Sequence, residues 1–177
     1  MTLSRIIAAS LFAVLAVTTS IRAEEPAAPP TNPLDVIPDK APFNIPYGAP
    51  IALKRAQSVA EAAFAEATKH GWPLNIAVVD SGGNLVTFLH MDNSQLASIA
   101  VSEHKARASV MYRRPTKAFE DAIQKGNNYV VTLDGVIGSR GGIPLIEDGK
   151  IIGAVGCSGG TGSQDEAACA VAAATIK

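Results

Sequence analysis

Apolar positions along this chain fall into two periods, and each period predicts its own element. Ala52, Ala56, Val59, Ala60, Ala63, Phe64 and Ala67 recur three and four residues apart, and Gly71 ends the run. That spacing lays side chains on one helical face and predicts an amphipathic helix over residues 50–69. Two apolar, β-branched runs, 74–80 and 85–90, flank Ser81-Gly82-Gly83-Asn84 and predict a hairpin. Asn93 or Ser94 can cap a helix reaching Tyr112, and Pro115-Thr116 opens a shorter one that ends before Gly126. Residues 129–133, Tyr-Val-Val-Thr-Leu, predict a strand. A second hairpin is predicted over 143–147 and 150–158, turning at Asp148-Gly149, and a last helix over 163–176. Two hairpins with helices at both ends lack the alternation of a parallel doubly wound sheet. The pattern is that of an α+β fold, an antiparallel sheet with helices packed on it.

The first residues change the picture of where the chain works. Arg5 precedes an uncharged apolar run over 6–17, and Thr18-Thr19-Ser20-Ile21-Arg22-Ala23 leads into Glu24-Glu25-Pro26. This is the layout of a secretory signal peptide over 1–23, with Ala23 the last residue removed; the alternative is a retained anchor. The run is shorter than the ~20 residues that span a bilayer. The mature chain is therefore expected to be exported, periplasmic or secreted, with no membrane span. Residues 24–50 hold eight of the chain's eleven prolines, which predicts an extended arm over 24–49 outside the core. One domain of ordinary size follows over 50–177. Without residues 1–23 the chain carries 13 basic and 16 acidic side chains, a net charge of −3. It has no basic tract and few aromatics, which argues against nucleic acid or an anionic membrane as a partner.

Candidate chemistry concentrates in residues 153–166, GAVGCSGGTGSQDE. Gly156-Cys157-Ser158-Gly159-Gly160 fits the pattern of a hydrolase nucleophile elbow, whose histidine base follows the serine in the chain. All three histidines, at 70, 90 and 104, precede Ser158, so the serine is not read as a nucleophile and no catalytic set is assigned. The stretch also lacks the Gly-Lys-Ser/Thr of a phosphate loop. What remains is a sharp turn from strand to helix, with Ser163 capping and Glu166 reaching back as a capping box. The amides of Gly159 and Gly160 near a helix start stay open as a seat for a carboxylate or propionate. Cys157 falls on a strand and Cys169 on the helix packed over it. Layers about 10 Å apart exceed the roughly 7 Å Cα separation a bridge allows, so two buried free thiols are expected, with a disulfide as the alternative.

Several pieces together resemble one family. They are residues 77–86 (AVVDSGGNLV), His90-Met91-Asp92, Lys105-Ala106, Arg114-Pro115-Thr116, Gly141-Gly142-Ile143-Pro144-Leu145, residues 148–160 and Asp165-Glu166. In this order they are similar to the GlcG/HbpS family of haem-binding proteins across roughly 50–177. His90 stands where that family usually has arginine, and the first helix carries no histidine before His70, where some haem-binding relatives have one. The resemblance implies a profilin-like three-layer α/β/α fold with a five-stranded antiparallel sheet. It also implies homo-oligomers, with octamers known in the family, and haem binding in some members. Some members are secreted and act with a sensor protein; others belong to glycolate or diol metabolism.

Within that frame His104 is the first candidate for a metal ligand. It shares a helical stripe with Ala97, Val101, Ala108 and Met111, of which the alanines leave room for a flat macrocycle. The alternative is a core or interface histidine bonded to a carbonyl. His90 closes the second strand on the face of Val86 and Phe88 and is the second candidate. Met111, Arg113 and Arg114 can line a haem edge, the arginines pairing propionates, or form an ordinary solvated helix end. Gly159 and Gly160 complete the candidate set. Ile99, Ala106 and Val110 lie opposite the His104 stripe, so this helix is apolar on two sides and is expected to need a second subunit. The expected function is an exported, oligomeric haem- or tetrapyrrole-binding protein in haem or iron handling or redox sensing. The alternatives are a binding module for a small organic acid such as glycolate, an enzyme of a small metabolite, or a signalling partner without a ligand.

Overall fold

The computed structural model describes residues 37–177, so the leader expected over 1–23 and the first part of the arm lie outside the described residues. The first helix, α1 (Leu53–His70), buries Ala56, Val59, Ala60, Ala63 and Ala67, the stripe the pattern predicts, although Phe64 stays on the surface. Gly71 takes the left-handed region at φ 68°. The N–H groups of Gly71 and Trp72 then donate to Thr68 O and Ala67 O, closing the helix.

Four strands follow the two predicted hairpins: β1 (Asn75–Asp80), β2 (Leu85–His90), β3 (Gly142–Glu147) and β4 (Lys150–Ser158). They form one antiparallel sheet in the order β2-β1-β4-β3. The second hairpin turns on Asp148 (φ 47°) and Gly149 (φ 71°), the positive pair that a two-residue turn demands. The mixed α+β class is as the pattern predicts. Four strands stand among the described residues where the resemblance implies five.

The strand expected over 129–133 is instead a 3₁₀ turn, Asn128–Thr132, next to α3 (Lys117–Gln124). Only Val130 finds the core; Tyr129 and Val131 remain exposed, and among the described residues no strand pairs with them. A different segment extends the sheet. β1 ends opposite Gly153, and beyond that point the end of the proline-rich arm takes the free side of β4. Ile151 N donates to Pro46 O, Gly48 N to Ile151 O and Ile51 N to Ile152 O, each at 2.8 Å, around a single parallel bridge at Tyr47. The arm is thus docked at its C-terminal end.

One face of the sheet shares an apolar core with α1 and with α4 (Gly162–Ala173) through Ile76, Val78, Val155, Cys157, Ala168 and Ala172. The other face packs on α2 (Ala97–Met111) through Ala77, Val79, Ala106, Val110 and Ala154. Of the His104 stripe α2 buries only Ala108; its other buried residues are Ser98, Ser102, Lys105, Ala106, Ser109 and Val110. Backbone proximity is the reason. A Cβ on Gly156 would stand 2.1 Å from Ser102 O, and one on Gly142 2.3 Å from Lys105 O. The helix lies directly on two glycines of the sheet, a contact only small side chains allow.

Two expectations at α4 are corrected. The capping box is Thr161 with Gln164, not Ser163 with Glu166: Gln164 N donates to Thr161 Oγ1 (3.4 Å) and Thr161 N to Gln164 Oε1 (2.8 Å). The same motif two residues earlier starts the helix. Cys157 and Cys169 are not free thiols but a disulfide, with Cα atoms 5.8 Å apart. The interlayer distance overestimated their separation. The helix leaves β4 through a three-residue turn, and the residues it brings to the strand are mostly alanines.

Candidate functional site

His104 sits on α2 under the loop that follows the 3₁₀ turn, half-buried. Its Nε2 lies 3.1 Å from Gly135 O, and since a carbonyl only accepts, Nε2 carries the proton. The same loop is held by Tyr112, whose hydroxyl donates to Asp134 O at 2.5 Å, and by Met111, whose methyl group lies against Gly135. In this arrangement His104 has the carbonyl-bonded environment of the alternative reading.

His90 is built differently. A register shift between Val78 and Val79 puts Val86 on the α1 side of β2, while Phe88 and His90 face α2, so His90 shares its face with Phe88 and not with Val86. Its Nδ1 lies 2.5 Å from Oδ1 of Asn75, the cross-strand neighbour, and 3.2 Å from Ser94 Oγ. Asn75 is fully buried, and its Nδ2 donates to Gln95 O (3.4 Å), which fixes the amide orientation. Nδ1 therefore donates, and Nε2 of this exposed ring is left as a lone-pair donor. One ring nitrogen oriented by a hydrogen bond and the other free is the arrangement that axial histidines require. Such a ring nitrogen could hold the iron of a macrocycle.

The arginines are engaged elsewhere. Arg113 lies 5.8 Å from the Tyr47 ring centre and Arg114 3.7 Å from that of Phe43, both rings on the docked arm. Tyr47 donates to the carbonyls of Val110 and Met111, so the arm clamps the end of α2. Desolvation lowers the Arg114 pKa from its ordinary value. Met111, Arg113 and Arg114 thus form one cluster, separate from the bonded surroundings of His90.

The glycine turn does bind a carboxylate, and the carboxylate is the chain's own. Gly160 N donates to Asp165 Oδ1 at 3.0 Å, and Asp165 Oδ2 meets Lys105 Nζ at 2.7 Å; Lys105 also donates to Cys157 O at 3.2 Å. Both side chains are buried, 1% and 4% exposed. Burial raises the Asp165 carboxyl pKa above its ordinary value against the opposing pull of Lys105 and the Gly160 and Gly159 amides. A small organic acid therefore has no vacant seat at Gly159 and Gly160, which disfavours that alternative. The sequence pattern does not pair these two residues, because they lie 60 positions apart on different helices. The signal available was a lysine in line with Ser98, Ser102 and Ser109.

A second ionic group ties α3 to α4. Arg140 Nε and NH2 donate to Glu120, its N–H donates to the same carboxylate at 2.9 Å, and Glu166 stands 3.5 Å from NH1. Arg140 holds the Glu120 pKa below its ordinary 4.5. A depressed folded-state value means the contribution is complete above pH 4.5 and is lost as pH falls through the lower value. Glu120→Gln should lower the melting temperature at pH 7, with the gap to the parent closing below pH 4.5. A gap that persisted in acid would show that the variant acts through packing alone.

A cavity of about 410 Å³ opens beside the end of β2 that carries His90, between the end of α1 and the β2–α2 loop. Thr68, Gly71, Trp72, Pro73, Met91 and Asp92 line it. Among the described residues no three His, Cys, Asp or Glu side chains converge as a metal site, and no helix is long and apolar enough to cross a membrane.

A family model described as "Haem degrading protein HbpS-like" matches residues 51–175. The chain is 37% identical over 108 residues to Protein GlcG of Escherichia coli K12, an alignment covering 61% of this chain and 81% of that one. It is similar to the solved PduOC:heme complex, with a TM-score of 0.66 and 26% identity over 73% of this chain and 96% of that one. It is also similar to a double mutant of Streptomyces reticuli HbpS, with a TM-score of 0.68 and 25% identity over 86% and 99%.

Proposed function

The chain belongs to the HbpS-like family, and on that premise we propose that it binds haem, with His90 as the residue that would hold the iron. The observation that carries the assignment is the His90 ring, with Nδ1 held by buried Asn75 and Nε2 left free. Bound iron porphyrin supplies the redox and ligand-exchange chemistry; the protein supplies one nitrogen, its orientation and the surface around it. Asn75 keeps the tautomer that leaves Nε2 unprotonated, and Ser94, whose hydroxyl donates to Met91 O, supports the same ring nitrogen. His104, spent on Gly135, is the second candidate and needs the loop above it to move.

Export, assembly into homo-oligomers such as octamers, a sensor partner and a role in haem or iron handling or redox sensing extend this proposal. The leader pattern at 1–23 supports export. Leu96 at the start of α2, 81% exposed and close in sequence to His90, supports a second subunit closing the site. We read the two helical layers flanking the sheet as the profilin-like arrangement the resemblance implies.

Hemin added to the purified protein should give a Soret band shifted from that of free hemin. His90→Ala should weaken haem retention at least tenfold, the loss of a good axial ligand. His104→Ala should leave the spectrum unchanged. The reverse pattern would transfer the ligand role to His104, and no shift with the parent protein would dismiss haem binding.

A further inference from the structure

The walls of the cavity at the end of α1 combine an aromatic ring, a thioether and a carboxylate. Trp72 and Pro73 follow the Gly71 cap, and Met91 and Asp92 follow β2, so two chain reversals meet there. His70 stacks on one face of the Trp72 indole, with centres 4.5 Å apart and planes 15° from parallel. The indole also packs against the apolar core, and what remains of its surface lines the cavity. Met91 is held in place by its sulfur, which accepts from Leu74 N at 3.4 Å.

Charge decides the class of ligand. The two basic side chains of the last turn of α1 are both turned to Glu66: His70 Nε2 at 2.9 Å and Lys69 Nζ at 3.6 Å. Asp92 at the cavity has no ion-pair or hydrogen-bond partner for its carboxylate among the described residues. The C-terminal end of α1, which carries the negative end of the helix dipole, adjoins the cavity at Thr68 and Gly71. An electron-rich indole, a polarizable sulfur and a free carboxylate around some 410 Å³ favour a positive centre with a compact apolar shell. We propose that this cavity binds a small organic cation, an ammonium or quaternary ammonium group, between Trp72 and Asp92. The proposal does not rest on the haem reading, and because Met91 and Asp92 directly follow His90 its test uses protein without haem.

Trp72 is the chain's one tryptophan, so its fluorescence reports this cavity directly. Choline is the probe, and 3,3-dimethylbutan-1-ol, of the same shape without the charge, is the control. Choline should change the emission saturably, and the neutral alcohol should need at least a tenfold higher concentration. Asp92→Asn should weaken choline binding about 5- to 30-fold, with Asp92→Glu recovering most of it. Trp72→Leu, followed by calorimetry in place of fluorescence, should weaken it by a similar factor. Equal response to the alcohol, no saturable response to choline, or unchanged binding in Asp92→Asn would each overturn the proposal. Unaltered far-ultraviolet circular dichroism in each variant separates loss of binding from loss of fold.

Discussion

Lys105→Ala is expected to destabilise the protein by about 3–5 kcal/mol, the cost of leaving a buried charge without its partner. Lys105 reaches from α2 through the glycine-faced side of the sheet to Asp165 Oδ2 at 2.7 Å and Cys157 O at 3.2 Å. Removing it leaves the Asp165 carboxylate with backbone amides alone, in a site that already raises its pKa by desolvation. The sign of the pH dependence follows. A carboxyl whose folded-state pKa lies above its ordinary 3.8 contributes stability below that value and loses it as pH rises through the folded-state value. The alanine variant should therefore be weakest at neutral pH and should regain part of its stability on acidification, in contrast to the acid-labile Glu120–Arg140 group. Urea denaturation at pH 7 and pH 5 measures both effects. Lys105→Met combined with Asp165→Asn should cost less than Lys105→Ala alone, since it removes the stranded charge. A loss below 1 kcal/mol for Lys105→Ala would mean that water reaches Asp165.

The unequal legibility of this chain has a single physical root. Burial through large apolar side chains leaves a period in the sequence, and burial through close backbone approach leaves little. The Ala and Val stripe of α1, the Gly71 cap and the Asp148-Gly149 turn were readable because side-chain spacing and backbone conformation are local properties. The working face of α2 was not. It is lined by serines, a lysine and an alanine because Gly142 and Gly156 let the helix lie on the strands, so the His104 stripe attracted attention that belonged one face over. His90 was read as a candidate, but what orients it, Asn75, lies across the hairpin and follows only from the strand register. The register shift beside Val79 also reversed Val86, which strict alternation placed beside His90. Residues 129–133 have the composition of a strand, and composition cannot supply the neighbour that a strand needs.

The disulfide carries the second large effect. Replacing Cys157 and Cys169 together by alanine is expected to cost about 3 kcal/mol, since the bridge closes a loop of sequence separation 12 that the unfolded chain must otherwise leave open. Both cysteines are fully buried, so a thiol reductant should act slowly on the native protein and quickly once denaturant opens it. Thermal melts of the parent and the double variant, with and without reductant, separate the two: reductant should lower only the parent's melting temperature. The bridge and the ion pair hold the same helix. Cys169 lies one turn beyond Asp165 on α4, and the Cys157 carbonyl accepts from Lys105. Losing the bridge frees the strand and helix positions that frame the Lys105–Asp165 contact. The cysteine double variant combined with Lys105→Ala should therefore depart from additivity by more than 0.5 kcal/mol, the expected mark of sites that share partners. Sums that agree within that margin would show instead that the staple and the buried pair act on α4 independently.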